Sequence, residues 1–98
     1  MVRAVHQPPR RAVTCSKWGR RSAWSEAVAT VAREAREGAG LSRNELAVRV
    51  GVGRDFIGRI ESASFESKLS AIATYAHGLD LSAWELIEAA ERLLVPDC

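Results

Sequence analysis

Two guanidinium groups and a carboxylate stand close together at Arg54, Asp55 and Arg59, in the stretch RDFIGR. An arginine offers a planar fork of N–H donors and a carboxylate only accepts, so the three can engage a partner that presents acceptors and donors in a fixed pattern. Whether they act together depends on the element that carries them. On a helix, with successive residues roughly 100° apart, Phe56, Ile57 and Ile60 share one arc and Arg54, Asp55, Gly58 and Arg59 the opposite one. Gly58 costs a helix interior about 1 kcal/mol relative to alanine, but it lets the helix axis approach whatever lies outside. That suits a helix seated in a groove. A solvated face with a tolerated glycine would look the same if this helix stood alone.

Other chemistry is thinly supplied. His6 falls in a loose tail and His77 near a helix end, and no nucleophile, base and orienting group recur at a workable spacing. No catalytic residue is assigned, and no enzymatic activity is expected. GAG (38–40) and GVG (51–53) lack the preceding strand of a phosphate-cradling glycine loop. Cys15 and Cys98 lie near opposite ends without a partner at metal-ligand spacing, which predicts free thiols in a reducing cytosol, no metal and no cofactor.

With 98 residues, 47% of them apolar, the chain has room for one compact domain. No apolar run approaches the ~18 residues of a membrane span, and no signal-like stretch follows the basic N-terminus. A cytoplasmic location, with no membrane partner, is expected. The formal charge of +2 hides an asymmetry: residues 1–25 carry six bases and no acid, the remainder eight bases and twelve acids. A basic tail suits a polyanion such as a nucleic acid, although a merely solvated leader has the same composition. No internal repeat of 20–50 residues is present. Residues 1–21, with Pro8-Pro9 and scattered arginines, are expected to form a disordered basic arm, and residues 22–95 the folded domain. Trp18 is the arm residue able to dock on it.

The elements that must position the polar arc are helical throughout. A first helix begins at Ser22, with Trp24, Ala27, Val28, Val31, Ala32 and Ala35 at helical spacing, and stops near Gly38–Gly40. Ser42 and Glu45 have the spacing of a capping box, opening a second helix that buries Leu46, Ala47 and Val50 and ends at Gly51. A third starts at Gly53, with Val52 and Ile57 placed as a hydrophobic staple, and runs to about Ser62. The fourth covers Lys68 to His77, burying Leu69, Ile72, Ala73 and Ala76, with Gly78 as its stop. Ser82 and Glu85 form another capping box, and the last helix runs to about Leu94, before Pro96. The fold class is all-α, with five helices.

The two short helices around Gly51 have the spacing of a helix-turn-helix. The stretch RNELAVRVGVGRDFIGRIES, Arg43–Ser62, resembles the motif of the Cro and phage-repressor family of XRE-like regulators. Leu46, Val50, Val52, Ile57 and Ile60 fall where that motif is apolar, Ala47 is small where its helices cross, and Gly51 sits at the corner, where a positive φ is cheap only for glycine. The flanking REAREGAGLS and LSAIATYAHGLDLSAWELI look like the family as well, so that the resemblance spans about Ser25 to Leu94.

The resemblance implies a five-helix bundle of the lambda-repressor-like DNA-binding type, with the second motif helix in the major groove of double-stranded DNA. Carried onto this chain, it makes Arg54, Asp55 and Arg59 base readers: arginine can pair with guanine O6 and N7, and a carboxylate can accept from cytosine N4. Asp55 has a competing role in the first-turn helix dipole. Arg43, Gly53 and Ser62 become DNA-backbone contacts, Arg43 standing where the family usually has glutamine. Phe56 replaces a frequent tyrosine, as a packing residue at the core rim or a contact to a thymine methyl or a sugar. Arg36 and Glu61 match a pair that forms a structural salt bridge between the first and third helices.

Arg10, Arg11, Arg20 and Arg21 supply an arm that could enter the minor groove. The last helix carries Ala83, Leu86, Ile87, Ala89, Ala90, Leu93 and Leu94 on an arc wider than one core requires, with Trp84 at its border. That suits a homodimer with Trp84, Ile87 and Leu94 at its interface; a small core that wraps more of this helix is the alternative. The expected function is a sequence-specific, dimeric transcriptional regulator, autoregulating its own operon as a restriction–modification controller or a phage-type repressor. An antitoxin with a toxin partner, or a protein-binding adaptor that keeps the fold, are the competing assignments.

Overall fold

The computed structural model describes residues 20–63 and 67–94, with the backbone alone at residues 20–22. Arg10, Arg11, Cys15, Trp18 and Cys98 lie outside the described residues. Five helices follow in order: α1 (Arg20–Gly38), α2 (Arg43–Val50), α3 (Arg54–Ile60), α4 (Leu69–Gly78) and α5 (Ala83–Leu93). The described chain is all-α, as its periodicity predicts. α1 starts two residues earlier than expected and includes Arg20 and Arg21. Nothing after Gly19 interrupts helical propensity. None of these helices is long and apolar enough to cross a membrane.

Three of the helices end in the same way. Beyond α1 the Leu41 N–H bonds back to the Arg36 carbonyl and the Gly40 N–H to that of Glu37, with Gly40 at φ 76°. Beyond α2 the Val52 N–H reaches the Ala47 carbonyl and the Gly51 N–H that of Val48, with Gly51 also at φ 76°. Beyond α4 the Leu81 N–H reaches Ala76 and the Asp80 N–H reaches His77, but the left-handed residue is Asp80, at φ 61°. Each is a Schellman motif, which satisfies carbonyls that the helix end would leave without partners. The residue that follows the turn, Leu41, Val52 or Leu81, packs on the core each time. After the first and third turns comes a serine whose hydroxyl accepts from the backbone of a glutamate three residues on, Ser42 with Glu45 and Ser82 with Glu85, and both capping boxes are complete. The pattern Leu-Ser-x-x-Glu-Leu thus recurs at 41–46 and 81–86, and its closing leucines, Leu46 and Leu86, are both buried.

The core lies where α1 packs on α5 and α2 on α3 and α4, with α4 also against α5. It is built from Ala27, Val31 and Ala32 of α1, Leu46 and Ala47 of α2, Ile57 and Ile60 of α3, and Leu86 and Ala90 of α5. The stripe expected on α4 is corrected: Leu69 is 69% exposed and Ala73 is exposed, whereas Tyr75 joins Ile72 and Ala76 inside with no exposed surface. Both stripes have helical spacing; what decides between them is the side facing α2. There Gly78, which closes α4 without a positive φ, is needed for closeness and not for a turn. A Cβ at this position would meet the Val50 Cγ1 and lie 2.7 Å from the Leu46 Cδ1. The Arg49 guanidinium spans the same contact, donating to the Gly78 carbonyl at 3.0 Å. Gly78→Ala is therefore expected to destabilise the domain by about 1–3 kcal/mol, measured as a lower urea midpoint with an unchanged slope. A midpoint equal to that of the parent chain would show that α2 and α4 can separate freely.

Candidate nucleic-acid interface

The corner at Gly51 determines how α3 leaves α2. Its left-handed backbone, φ 76° and ψ 35°, reverses the chain within two residues, and Gly53 then caps α3 with extended backbone and no side-chain bond. At seven residues α3 is too short to be stable alone. Tertiary burial holds it, through Ile57 and Ile60 with Phe56 half-buried at the rim. Turning that face inward leaves Arg54, Asp55 and Arg59 exposed on the other side. Gly58 lies between them, and a Cβ built there meets no heavy atom within 4 Å.

The polar arc forms one wall of an open concavity of about 430 Å³ lined by Arg43, Arg54, Asp55, Gly58, Arg59 and Ser62. Every expected base reader is there, together with two of the three expected backbone contacts; Gly53 is not among the lining residues. Three arginines against one carboxylate make the surface positive. A second open concavity, about 320 Å³, is lined by Arg36, Ser42, Arg43, Asn44 and Arg54, so that Arg43 and Arg54 border both. Trp84, on α5, is 66% exposed, whereas Ile87 and Leu94 are half-buried against the core. The broad apolar arc of α5 is thus partly occupied by the domain itself.

Behind the arginines lies a buried ion cluster centred on Glu61, the residue that caps α3 at its C-terminus. Its side chain has no exposed surface. Oε2 accepts from the Arg36 Nε at 2.7 Å and from the Tyr75 hydroxyl, and Oε1 accepts from the Arg36 Nη2 and the Arg43 Nε, each at 3.1 Å. The expected Arg36–Glu61 pair is therefore present, as a two-pronged bridge. Arg36 also donates through Nη1 to the Leu41 carbonyl at 2.8 Å, which ties the turn after α1 to the same cluster. Burial alone would raise the Glu61 carboxyl. Hydrogen bonds from Arg36 and Tyr75, the Arg36 charge and the bond from Arg43 outweigh it and hold the group below its ordinary range. The Tyr75 hydroxyl is pushed up, first by burial and then by the carboxylate beside it. The hydrogen bond to Glu61 raises Arg36, against the cost of burial.

Residues 27–90 match the family described as helix-turn-helix domain. The chain belongs to the helix-turn-helix family. This helix-turn-helix chain is similar in fold to two crystal structures of the clp gene regulator ClgR from Corynebacterium glutamicum, each at 24% identity and a TM-score of 0.63 over 69% of its length. The matched region covers 87% of one ClgR chain and 72% of the other. No curated protein matches it. Sequence reasoning about the helix-turn-helix chain missed Tyr75 and the inward bond of Arg43. Ile72, Tyr75 and Ala76 have helical spacing, but so do Leu69, Ile72 and Ala73, and no local pattern signals which arginine bends toward a distant glutamate.

The cluster sets a pH dependence with a definite sign. A carboxyl whose folded value is depressed contributes stability above its unfolded value, about 4.3, and loses it as pH falls through the folded value. Acid unfolding should therefore steepen below about pH 4, and Glu61→Gln should flatten that limb while lowering stability at pH 7 by roughly 3–5 kcal/mol, because Arg36 is left buried without its counter-charge. Tyr75 works in the other direction: its raised value gives stability below about pH 10 that is lost as pH rises further. Urea unfolding across pH 2–11 checks both limbs, and an acid limb unchanged by Glu61→Gln would remove Glu61 as its cause.

Proposed function

We propose that this helix-turn-helix protein is a sequence-specific transcriptional regulator that binds double-stranded DNA as a homodimer, with α3 in the major groove. The observation that carries the proposal is the convergence of Arg43, Arg54, Asp55, Arg59 and Ser62 around Gly58 on the face of α3 opposite Ile57 and Ile60. A major groove about 12 Å wide admits a helix, and a glycine between the polar residues of its outer face lets the axis sit close to the base edges that they would reach. Arg54 and Arg59 are the candidates to pair with guanine O6 and N7, and Asp55 to accept from cytosine N4. Arg43, the Ser62 hydroxyl and the Gly53 N–H take the phosphates, which position the protein without reading sequence. The basic segment containing Arg10, Arg11, Arg20 and Arg21 adds attraction that weakens as salt rises.

For the dimer, exposed Trp84 beside Ile87 and Leu94 offers an apolar edge that a two-fold copy of α5 would cover. Two α3 helices would then lie about one turn of DNA apart and read an operator of matched half-sites. The proposal extends to autoregulation of the chain's own operon, as a restriction–modification controller or a phage-type repressor. The arginine-rich face argues against an adaptor that has given up DNA.

Selection of bound duplexes from a random pool should return a motif with two-fold symmetry and half-site centres separated by roughly 10 base pairs. A pool that emerges without preference would overturn the proposal. On the selected duplex, Arg54→Ala should relax preference at one base position at a cost of about 1–3 kcal/mol, while Arg43→Ala should weaken all duplexes alike. Gly58→Ala makes effects of opposite sign: stability should rise by up to about 1 kcal/mol, since the methyl meets open space, while binding weakens roughly fivefold or more because the groove is crowded. Urea titration and duplex titration of the same sample measure the two, and an alanine that binds as tightly as glycine would place the groove elsewhere.

A further inference from the structure

We infer that the buried Glu61 carboxylate is a positioning residue for DNA contact, acting through Arg43. The inference rests on the DNA-binding function proposed above and deepens it, because it concerns how one phosphate contact is aimed. Arg43 begins α2, and with its side chain 43% exposed it is only partly in solvent. Its Nε is engaged inward, on the Glu61 Oε1 at 3.1 Å, while the residue borders both open concavities together with Arg54. A guanidinium carries five N–H donors, of which Nε has one; the four on the terminal nitrogens can serve an outer ligand while the inner bond persists. The group can thus be held at one end and bind at the other.

The inner partner is held by its own hydrogen bonds. Glu61 accepts four bonds, two from Arg36 and one each from Tyr75 and Arg43, which fills the roughly four lone-pair sites of a carboxylate. Arg36 comes from α1 and Tyr75 from α4, so the anchor is referenced to two further helices and not to a lone surface side chain. A long side chain fixed before binding loses less freedom when it meets a phosphate, and it presents its planar fork in one orientation. A glutamine at this position would lack the charge, and a lysine would lack the second end. An ammonium is a point charge that can sit on Glu61 or face outward, but its compact head cannot span both.

Arg43→Lys tests this with the charge held constant. Expected is a roughly five- to tenfold loss of affinity for the selected duplex, a slope of log K against log salt equal to the parent's, and a melting temperature close to the parent's because Arg36 and Tyr75 still hold Glu61. Arg43→Ala should lose comparable affinity and also reduce the salt slope by about one. A second variant gives a test of sign. Glu61→Gln makes the protein one charge more positive, so attraction to a polyanion alone predicts tighter binding, whereas loss of positioning predicts weaker binding by the chain that circular dichroism shows to be folded. Lysine binding as tightly as arginine, a loss that merely follows a fall in melting temperature, or tighter binding by Glu61→Gln would each overturn the inference. A parent chain that binds no duplex at all would overturn the DNA-binding function with it, whereas binding by the parent that is indifferent to Arg43→Lys would sink the positioning role alone. Should Glu61→Gln fail to fold, the lysine variant decides.

Discussion

A carboxylate removed from water is tolerated only where donors replace the water, and Glu61 has four of them, drawn from α1, α2 and α4 around the end of α3. Little of the remaining structure is independent of that requirement. If α1 shifted, Arg36 would leave a charge unpaired in the interior; if α4 turned, the Tyr75 hydroxyl would leave with it. The penalty for an uncompensated buried charge is several kcal/mol, comparable to the stability of a whole small domain. Such a cluster does less for net stability than for uniqueness: it makes near-native arrangements of the same helices costly. Its location at the C-terminus of α3 means that the helix with the least stability of its own is the one most tightly referenced to the others.

The outer surface inherits that reference. α3 is held in rotation by Ile57 and Ile60 and in translation by Glu61 at its end and the Gly51 corner at its start. Side chains on the opposite arc are then delivered to one place although each is individually exposed. Arg43 makes the link explicit, since the same guanidinium touches the buried carboxylate and borders the outer concavity. Rigid elements present a charged surface more reproducibly than loops do, and the base reading proposed for this surface needs that reproducibility.

Between the helices, economy of connection serves the same end. Two helix ends pass through a left-handed residue, an apolar residue that docks on the core, and a serine that caps the next helix, so the chain changes direction in a few residues without stranding backbone groups. Asp80 occupies the left-handed site that glycine holds after α1 and α2, which L-residues adopt only at some cost. Gly78 instead provides proximity, letting α2 and α4 touch where any side chain would hold them apart. That contact places Leu46 and Ala47 correctly over α3, and through them the corner itself.

What the chain's own order of residues determined was local and periodic. Serine three residues before glutamate makes a capping box wherever a helix can start, glycine at the corner adopts the left-handed backbone, and apolar spacing marks the inner faces of α1, α2, α3 and α5. These signals depend on neighbours a few positions away, which is why they survive being read as a string. The polar arc of α3 was visible for the same reason, since a helix fixes the angle between its side chains. The long-range pairings were not equally visible. The Arg36–Glu61 pair came through family likeness alone, and nothing nearby in sequence says that Arg43 would turn inward to a carboxylate 18 positions away or that Tyr75, not Leu69 and Ala73, would be buried. Those choices were settled only when the helices packed, because burial makes each polar group seek a partner and close packing leaves just one helix face to turn inward.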